Sequence, residues 1–144
     1  MSRRFEVALV YAAGLVQGLA LVTFPAAGDI LTSPSFHNLT SSEYGSLFLP
    51  MVVAAILASS LSGPVARRRG LKAVLLTGLG FDLLAMAVLA ASQFAVGSPA
   101  VVYALLFIAM TALGLGFGSA LTALNALAAA YFPERPDRAV TALH

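Results

Sequence analysis

The sequence predicts an all-α membrane protein with four transmembrane helices, and three observations lead to this fold class. Hydrophobic residues make up 60% of the 144 positions and charged residues only 10%, whereas an ordinary soluble domain has about 25% charged residues. The mean hydropathy is +0.93. Four apolar stretches each reach the roughly 20 residues that a helix needs to cross a bilayer. The lipid bilayer is therefore the expected solvent of this chain.

The predicted spans are bounded by local start and stop signals. Thr40 and Glu43 have the spacing of a capping box ahead of the second span. Ser98 and Pro99 predict an N-cap and a first helical position ahead of the fourth span. Prolines within two spans predict kinks; they are Pro25 and Pro50. The predicted spans cover residues 7–30, 45–66, 73–94 and 100–132, and a fifth helix is expected to begin near residue 137.

The basic residues are distributed very unevenly between the gaps. All eight fall before the first span, between the second and third, or after the fourth. They are Arg3, Arg4, Arg67, Arg68, Arg69, Lys72, Arg135 and Arg138. Because alternate gaps lie on the same side of a membrane, the positive-inside rule predicts a cytoplasmic N-terminus. The expected location of this multi-pass protein is the plasma (cell inner) membrane. The charges form no basic face, so a nucleic-acid partner is not expected.

The residues that carry most enzyme chemistry are scarce. The chain contains no cysteine and two histidines, His37 and His144. The sequence shows no nucleophile–base pair, no paired carboxylates and no metal-ligand cluster. We therefore expect neither an enzyme nor a protein with a metal or cofactor.

Small residues recur at helical spacing in the first and fourth spans. Gly14 and Gly18, like Gly114 and Gly118, form small-xxx-small pairs that predict close helix packing. Each pair shares a face with polar side chains. In the first span these are Tyr11 and Gln17, and in the fourth they are Thr122 and Asn125.

Residues 63–72, GPVARRRGLK, match a known loop pattern. They resemble the loop between helices two and three of major facilitator superfamily transporters, G-x-L-A-D-R-x-G-R-K. Gly63, Ala66, Arg68, Gly70 and Lys72 match this pattern. The positions of the family's leucine, aspartate and second arginine hold Val65, Arg67 and Leu71.

The resemblance extends along the chain. Residues 39–50, LTSSEYGSLFLP, are similar to the start of family helix two, and residues 112–140 are similar to helix four with its F-P-x-R exit. Family members have twelve spans. The resemblance therefore implies an N-terminal fragment holding helices one to four and the start of helix five, with the C-terminal half as its missing partner.

The resemblance also implies roles for particular residues. The loop containing Gly63, Arg67, Arg68, Gly70 and Lys72 would act at the cytoplasmic gate. Family helices one and four line the central cavity, which would place four side chains on the substrate path: Tyr11, Gln17, Thr122 and Asn125. A purely structural role of these polar groups in holding helices together is the alternative.

Asp82 is the one acidic residue deep within an apolar stretch. It follows Lys72 by ten residues, which places it about 15 Å along the helix. A buried acid of this kind is a candidate for coupling to a proton or cation. Family helix three is mostly peripheral to the cavity, so a hydrogen-bonded structural role is the alternative.

Two functions follow from these patterns. The first is transmembrane transport of a small-molecule solute by alternating access, in which this chain alone would be inactive. The second is a self-contained four-helix membrane scaffold or small exporter. The reading frame after His144 separates them, because a transporter of the family type requires further spans.

Overall fold

The computed structural model describes residues 3–133 and 136–141. Within them the chain forms α-helices and one 3-10 helix, with no strand. Four helical segments are long and apolar enough to cross a membrane: Phe5–Thr32, Ser41–Arg69, Leu71–Ala95 and Pro99–Tyr131. The predicted all-α membrane fold class is confirmed. Arg135, which contributes to the charge bias, lies outside the described residues.

The first span consists of a long helix, α1 (Arg3–Ala26), and a short one, α2 (Gly28–Thr32). Pro25 cannot donate a backbone hydrogen bond, and the regular helix ends one residue later. At the break, the Ala27 amide donates to the carbonyl oxygens of both Thr23 and Phe24, at 3.0 and 3.2 Å. The discontinuity expected near Pro25 is therefore present as a break at Ala27.

The second span also begins with a short helix, α3 (Ser41–Ser46), followed by α4 (Phe48–Arg69). The predicted capping box is confirmed, because Thr40 and Glu43 each accept a hydrogen bond from the other's backbone amide. The break falls at Leu47, three residues before Pro50, which lies in the first turn of α4. A kink centred on Pro50 is not observed, since the first-turn amides of a helix have no carbonyl partner within it.

The predicted loop between the second and third spans is reduced to one residue. Helix α4 continues through Arg69, and α5 (Leu71–Ala91) begins directly after Gly70. The backbone of Gly70 has φ 85°, a conformation that residues with a side chain rarely adopt. Three arginines in the last turn favour helix there, because positive charge stabilises a helix C-terminus. The prediction of a non-helical gap between residues 66 and 73 is therefore wrong, since Gly70 alone separates the two helices. Gly63 and Lys72 lie within helices.

The third and fourth spans end and begin close to the predicted positions. A 3-10 helix, Ser92–Ala95, extends α5, and α6 covers Pro99–Tyr131. Pro99 occupies the first turn of α6, as predicted, but the side chain of Ser98 makes no capping hydrogen bond. A final short helix, α7 (Pro136–Thr141), starts one residue before the expected fifth helix.

Helix α6 is the centre of the bundle. It packs mainly against α4 and α5 and less extensively against α1. Many of its residues are buried, whereas much of the apolar surface of α1 and α4 is exposed. In a membrane, exposed apolar side chains face lipid or further helices. At one end of the bundle, the rings of Phe24, Tyr44 and Phe48 stack or meet edge to face and join the first and second spans.

The glycines of α6 determine how closely α4 approaches. A Cβ at Gly114 would overlap the carbonyl oxygen of Met51, and one at Gly118 would overlap that of Ala55. The hydroxyl of Ser59 also donates to the Gly118 carbonyl oxygen, at 3.2 Å. Gly114 and Gly118 therefore bring the backbones of α4 and α6 into direct contact.

Candidate functional site

Two polar side chains meet in the apolar part of the bundle. Gln17 is on α1 and Asp82 is on α5, and each is only 3% exposed. The amide Nε2 of Gln17 donates to Oδ1 of Asp82 over 3.4 Å. Both helices are otherwise apolar around these positions. The contact therefore joins the first and third spans through polar atoms within the apolar part of both helices.

The third component of the site is a glycine. A Cβ at Gly116 on α6 would overlap the Asp82 carboxylate oxygen Oδ1 and would lie 2.8 Å from its Cγ. It would also lie 2.9 Å from the carbonyl oxygen of Gly78. The missing side chain at Gly116 thus makes the space that the carboxylate of Asp82 occupies.

Two oxygen atoms of this junction have no hydrogen-bond partner within the described residues. They are Oε1 of Gln17 and Oδ2 of Asp82, and both are buried. An unpartnered polar atom in an apolar environment is unfavourable by roughly 1–3 kcal/mol, and more when it is charged. The two oxygens can accept hydrogen bonds from, or coordinate, a group that enters the site. Such a group would be a proton donor or a cation, because both free atoms are acceptors.

A groove between α1 and α5 leads to this pair. Its volume is about 350 Å³, and Asp82 forms part of its wall together with apolar residues of both helices. A second groove of about 450 Å³ extends toward the end of the bundle that carries Glu6 and Lys72. The two grooves share Ala13, Val16 and Leu79, so they form one continuous depression along α1 and α5.

At the end of this depression, the first span contacts the fourth span. The hydroxyl of Tyr131 donates to Oε2 of Glu6 over 3.2 Å. Both side chains are half-buried. The contact fixes the beginning of α1 against the end of α6, while α1 and α5 remain separated along the groove.

The residues predicted for a substrate path differ in their surroundings. Gln17 contacts Asp82 on α5. Thr122 donates its hydroxyl to the Gly118 carbonyl oxygen within its own helix, at 2.8 Å. Asn125 is half-buried, and its Oδ1 has no partner within the described residues. Tyr11 is half-buried on α1. A shared substrate path for these side chains stays a prediction.

The two small-residue pairs differ in their surroundings. Gly114 and Gly118 contact α4 directly, as described above. Gly18 is exposed, and a Cβ there would meet no heavy atom within 4 Å, while Gly14 is half-buried. Close packing at Gly18 is therefore absent from the described part of the chain.

The residues assigned to a cytoplasmic gate loop lie at a helical corner. Arg67, Arg68, Gly70 and Lys72 are exposed there, and Gly63 is half-buried one turn earlier in α4. The basic groups are thus spread over the end of α4 and the start of α5, on both sides of Gly70. In residues 3–133 and 136–141, no group of three His, Cys, Asp or Glu side chains is arranged to hold a metal ion.

The contact between Gln17 and Asp82 was not predicted, although a signal for it exists. Gln17 lies 14 residues after the start of α1, and Asp82 lies 11 after the start of α5. Two helices that start on the same side run parallel, so the two residues have similar depths. The sequence contains no comparable signal for the space beside Gly116, because that space depends on the rotation of α6 about its axis.

Comparison with protein families, curated proteins and solved structures found no match to this chain.

Proposed function

We propose that this chain is part of a membrane transporter that moves a small solute by alternating access, and that the Gln17–Asp82 pair is its polar binding site in the apolar region. The observation that carries the proposal is a buried carboxylate and a buried amide, each with one unpartnered oxygen, beside an open groove. Burying an ionisable group at such a depth costs free energy, and such groups are rare and usually serve a function.

The arrangement supports a site whose occupancy depends on helix position. Gln17 and Asp82 are on different helices, and the groove separates those helices over much of their length. A displacement of α1 relative to α5 would change the distance between the two free oxygens. Binding a cationic or hydrogen-bond-donating group between them would favour the helix arrangement in which both oxygens reach that group, because a ligand stabilises the state that it binds best.

The proposed transporter has a defined orientation in the membrane and a second half that packs against this chain. The N-terminus and the basic corner at Gly70 lie in the cytoplasm, in accordance with the charge bias, and the membrane is the plasma (cell inner) membrane. The exposed apolar faces of α1 and α4 would pack against the C-terminal half of the same transporter and against lipid. Transport would require that second half.

To test this function, the complete gene product is expressed in cells. Uptake of labelled organic cations, amino acids and sugars is then compared with uptake by cells that carry an empty vector. Asp82→Asn removes the carboxylate charge from the site, and Gln17→Leu removes the amide that donates to it. We expect uptake to fall by about ten- to a hundredfold in both, as the loss of a hydrogen bond to a charged group implies. Expression level and membrane insertion are measured for every variant.

Ser60→Ala is the matched control. Ser60 is exposed on α4, and its hydroxyl donates to the Ile56 carbonyl oxygen of its own helix, at 2.8 Å. Uptake by this variant should equal that of the wild type. Background uptake of every solute, or unchanged uptake by the Asp82 and Gln17 variants, would refute the proposed function. A self-contained scaffold would give the first of these results.

A further inference from the structure

A histidine holds the connection between the first and second spans against the end of the third. The α2–α3 loop consists of residues 33–40. Within it, Nε2 of His37 lies 2.8 Å from Oγ of Ser92, a fully buried residue at the start of the 3-10 helix. Among the described residues, this is the one side-chain hydrogen bond that joins the loop to the third span.

The partners of Ser92 determine the form of the imidazole. The hydroxyl of Ser92 donates to the Leu89 carbonyl oxygen at 2.6 Å. A hydroxyl has a single proton to donate, so Ser92 accepts the hydrogen bond from Nε2 of His37. The neutral ring then carries its lone pair on Nδ1. That nitrogen is buried and has no partner within the described residues.

Protonation would add a second N–H to the ring, at Nδ1. Within the described residues, Nδ1 has no hydrogen-bond partner. A buried donor without an acceptor is unfavourable, and burial lowers the pKa of His37 below its usual value of 6.5. Asp29 on α2 and Glu43 on α3 are the charged residues of the neighbouring elements, while the 3-10 helix and the first turns of α6 have none. The cause of the lowered pKa is burial of the ring.

We propose that His37 is a pH-sensitive latch: the neutral ring holds the α2–α3 loop on Ser92, and protonation releases the loop from the end of the third span. The latch stabilises the closed loop fully above pH 6.5, the usual value for histidine. This contribution decreases as the pH falls from 6.5 through the lower pKa of the closed loop. Release would widen the existing groove of about 230 Å³ that His37 lines with residues of the loop and of the start of α6.

Hydrogen exchange of the 144-residue chain in lipid nanodiscs tests the latch. The amides of Asn38 and Leu39 report on the loop, because they donate to the carbonyl oxygens of Ser33 and Leu31, both at 3.0 Å. Protection factors, corrected for intrinsic exchange, are measured on both sides of pH 6.5, the reference value for histidine. We expect protection to fall at acidic pH by about tenfold for each unit that separates the pKa values of the open and closed loop.

Two variants separate titration from the hydrogen bond. His37→Gln retains a side-chain donor for Ser92 but does not titrate in this range, so its protection should be independent of pH. Ser92→Ala removes the acceptor and should give low protection at both pH values. Equal protection of the wild-type loop at both pH values, or the same pH response in His37→Gln, would overturn the proposal. Both outcomes are independent of any transport activity.

Discussion

At the scale of single residues, Asp82 shows how a carboxyl group is accommodated within an apolar bundle. Its Oδ1 accepts from Gln17, and the space that it fills exists because residue 116 lacks a side chain. The hydrogen bond and the steric opening come from two different helices. The position of Asp82 is therefore a property of the packed bundle and not of α5 alone.

This packing makes Gly116 sensitive to the smallest enlargement. We expect Gly116→Ala to lower the free energy of unfolding in bicelles by about 1–3 kcal/mol, because the added methyl group overlaps the carboxylate. The matched control is Gly80→Ala, at an exposed position where a Cβ meets no heavy atom within 4 Å. Alanine there should be neutral or stabilising by up to about 1 kcal/mol.

A double variant assigns the effect to the carboxyl group. Adding Asp82→Ala to Gly116→Ala should make the glycine substitution less destabilising by about 0.5–3 kcal/mol, the usual range for directly contacting residues. Part of the effect should remain, since the new Cβ still lies 2.9 Å from the Gly78 carbonyl oxygen. Equal destabilisation with and without the carboxyl group would contradict the packing at this site.

At the scale of elements, contact between two helix backbones connects α4 and α6. The Gly118 carbonyl oxygen accepts from Ser59 of α4 and from Thr122 of its own helix. Gly114, one helical turn earlier, allows the same close approach at Met51. This surface holds the second span against the fourth without any charged group.

Replacing Gly118 tests the contact between α4 and α6. Gly118→Ala should lower the free energy of unfolding by about 1–3 kcal/mol, because its Cβ overlaps the Ala55 carbonyl oxygen and the helices must separate. Gly18→Ala, at the corresponding glycine of α1, should change it by no more than about 1 kcal/mol. Equal changes in the two variants would contradict a role for the contact with α4, because helix propensity by itself favours alanine at both positions.

The sequence predicted helices more reliably than their connections. The capping box at Thr40 and the proline at position 99 are local signals, so the starts of α3 and α6 follow from a few neighbouring residues. At Gly70 the run of arginines predicts a loop, whereas the structure has helix up to Arg69. Arginine has good helix propensity and its charge suits a helix C-terminus, which leaves one glycine to change direction.

The candidate site was predicted only in part. Gln17 and Asp82 stood out as polar residues in apolar helices, and both belong to the site. Their pairing depends on the parallel arrangement of α1 and α5. The role of Gly116 depends on the rotation of α6. The rotation of a helix about its axis and the identity of its neighbouring helices both result from tertiary packing. A short stretch of residues therefore does not determine either of them.

At the scale of the whole molecule, α6 is the helix around which the others are arranged. It contacts every other long helix, whereas α1 meets α5 only loosely. The grooves between α1 and α5 and the exposed apolar faces are the surfaces left for lipid or further helices. A bundle with these open surfaces is consistent with a larger assembly of spans, as proposed for the transporter.

The central claim is that four helices cross a membrane with the basic corner on the cytoplasmic side, and single-cysteine labelling tests it most directly. The chain contains no cysteine, so Ser35→Cys and Arg68→Cys each introduce one reactive group at an exposed position. With a membrane-impermeant maleimide on intact cells, Ser35→Cys should be labelled, and Arg68→Cys only after permeabilisation. Labelling of Arg68→Cys in intact cells, as fast as that of Ser35→Cys, would contradict the account.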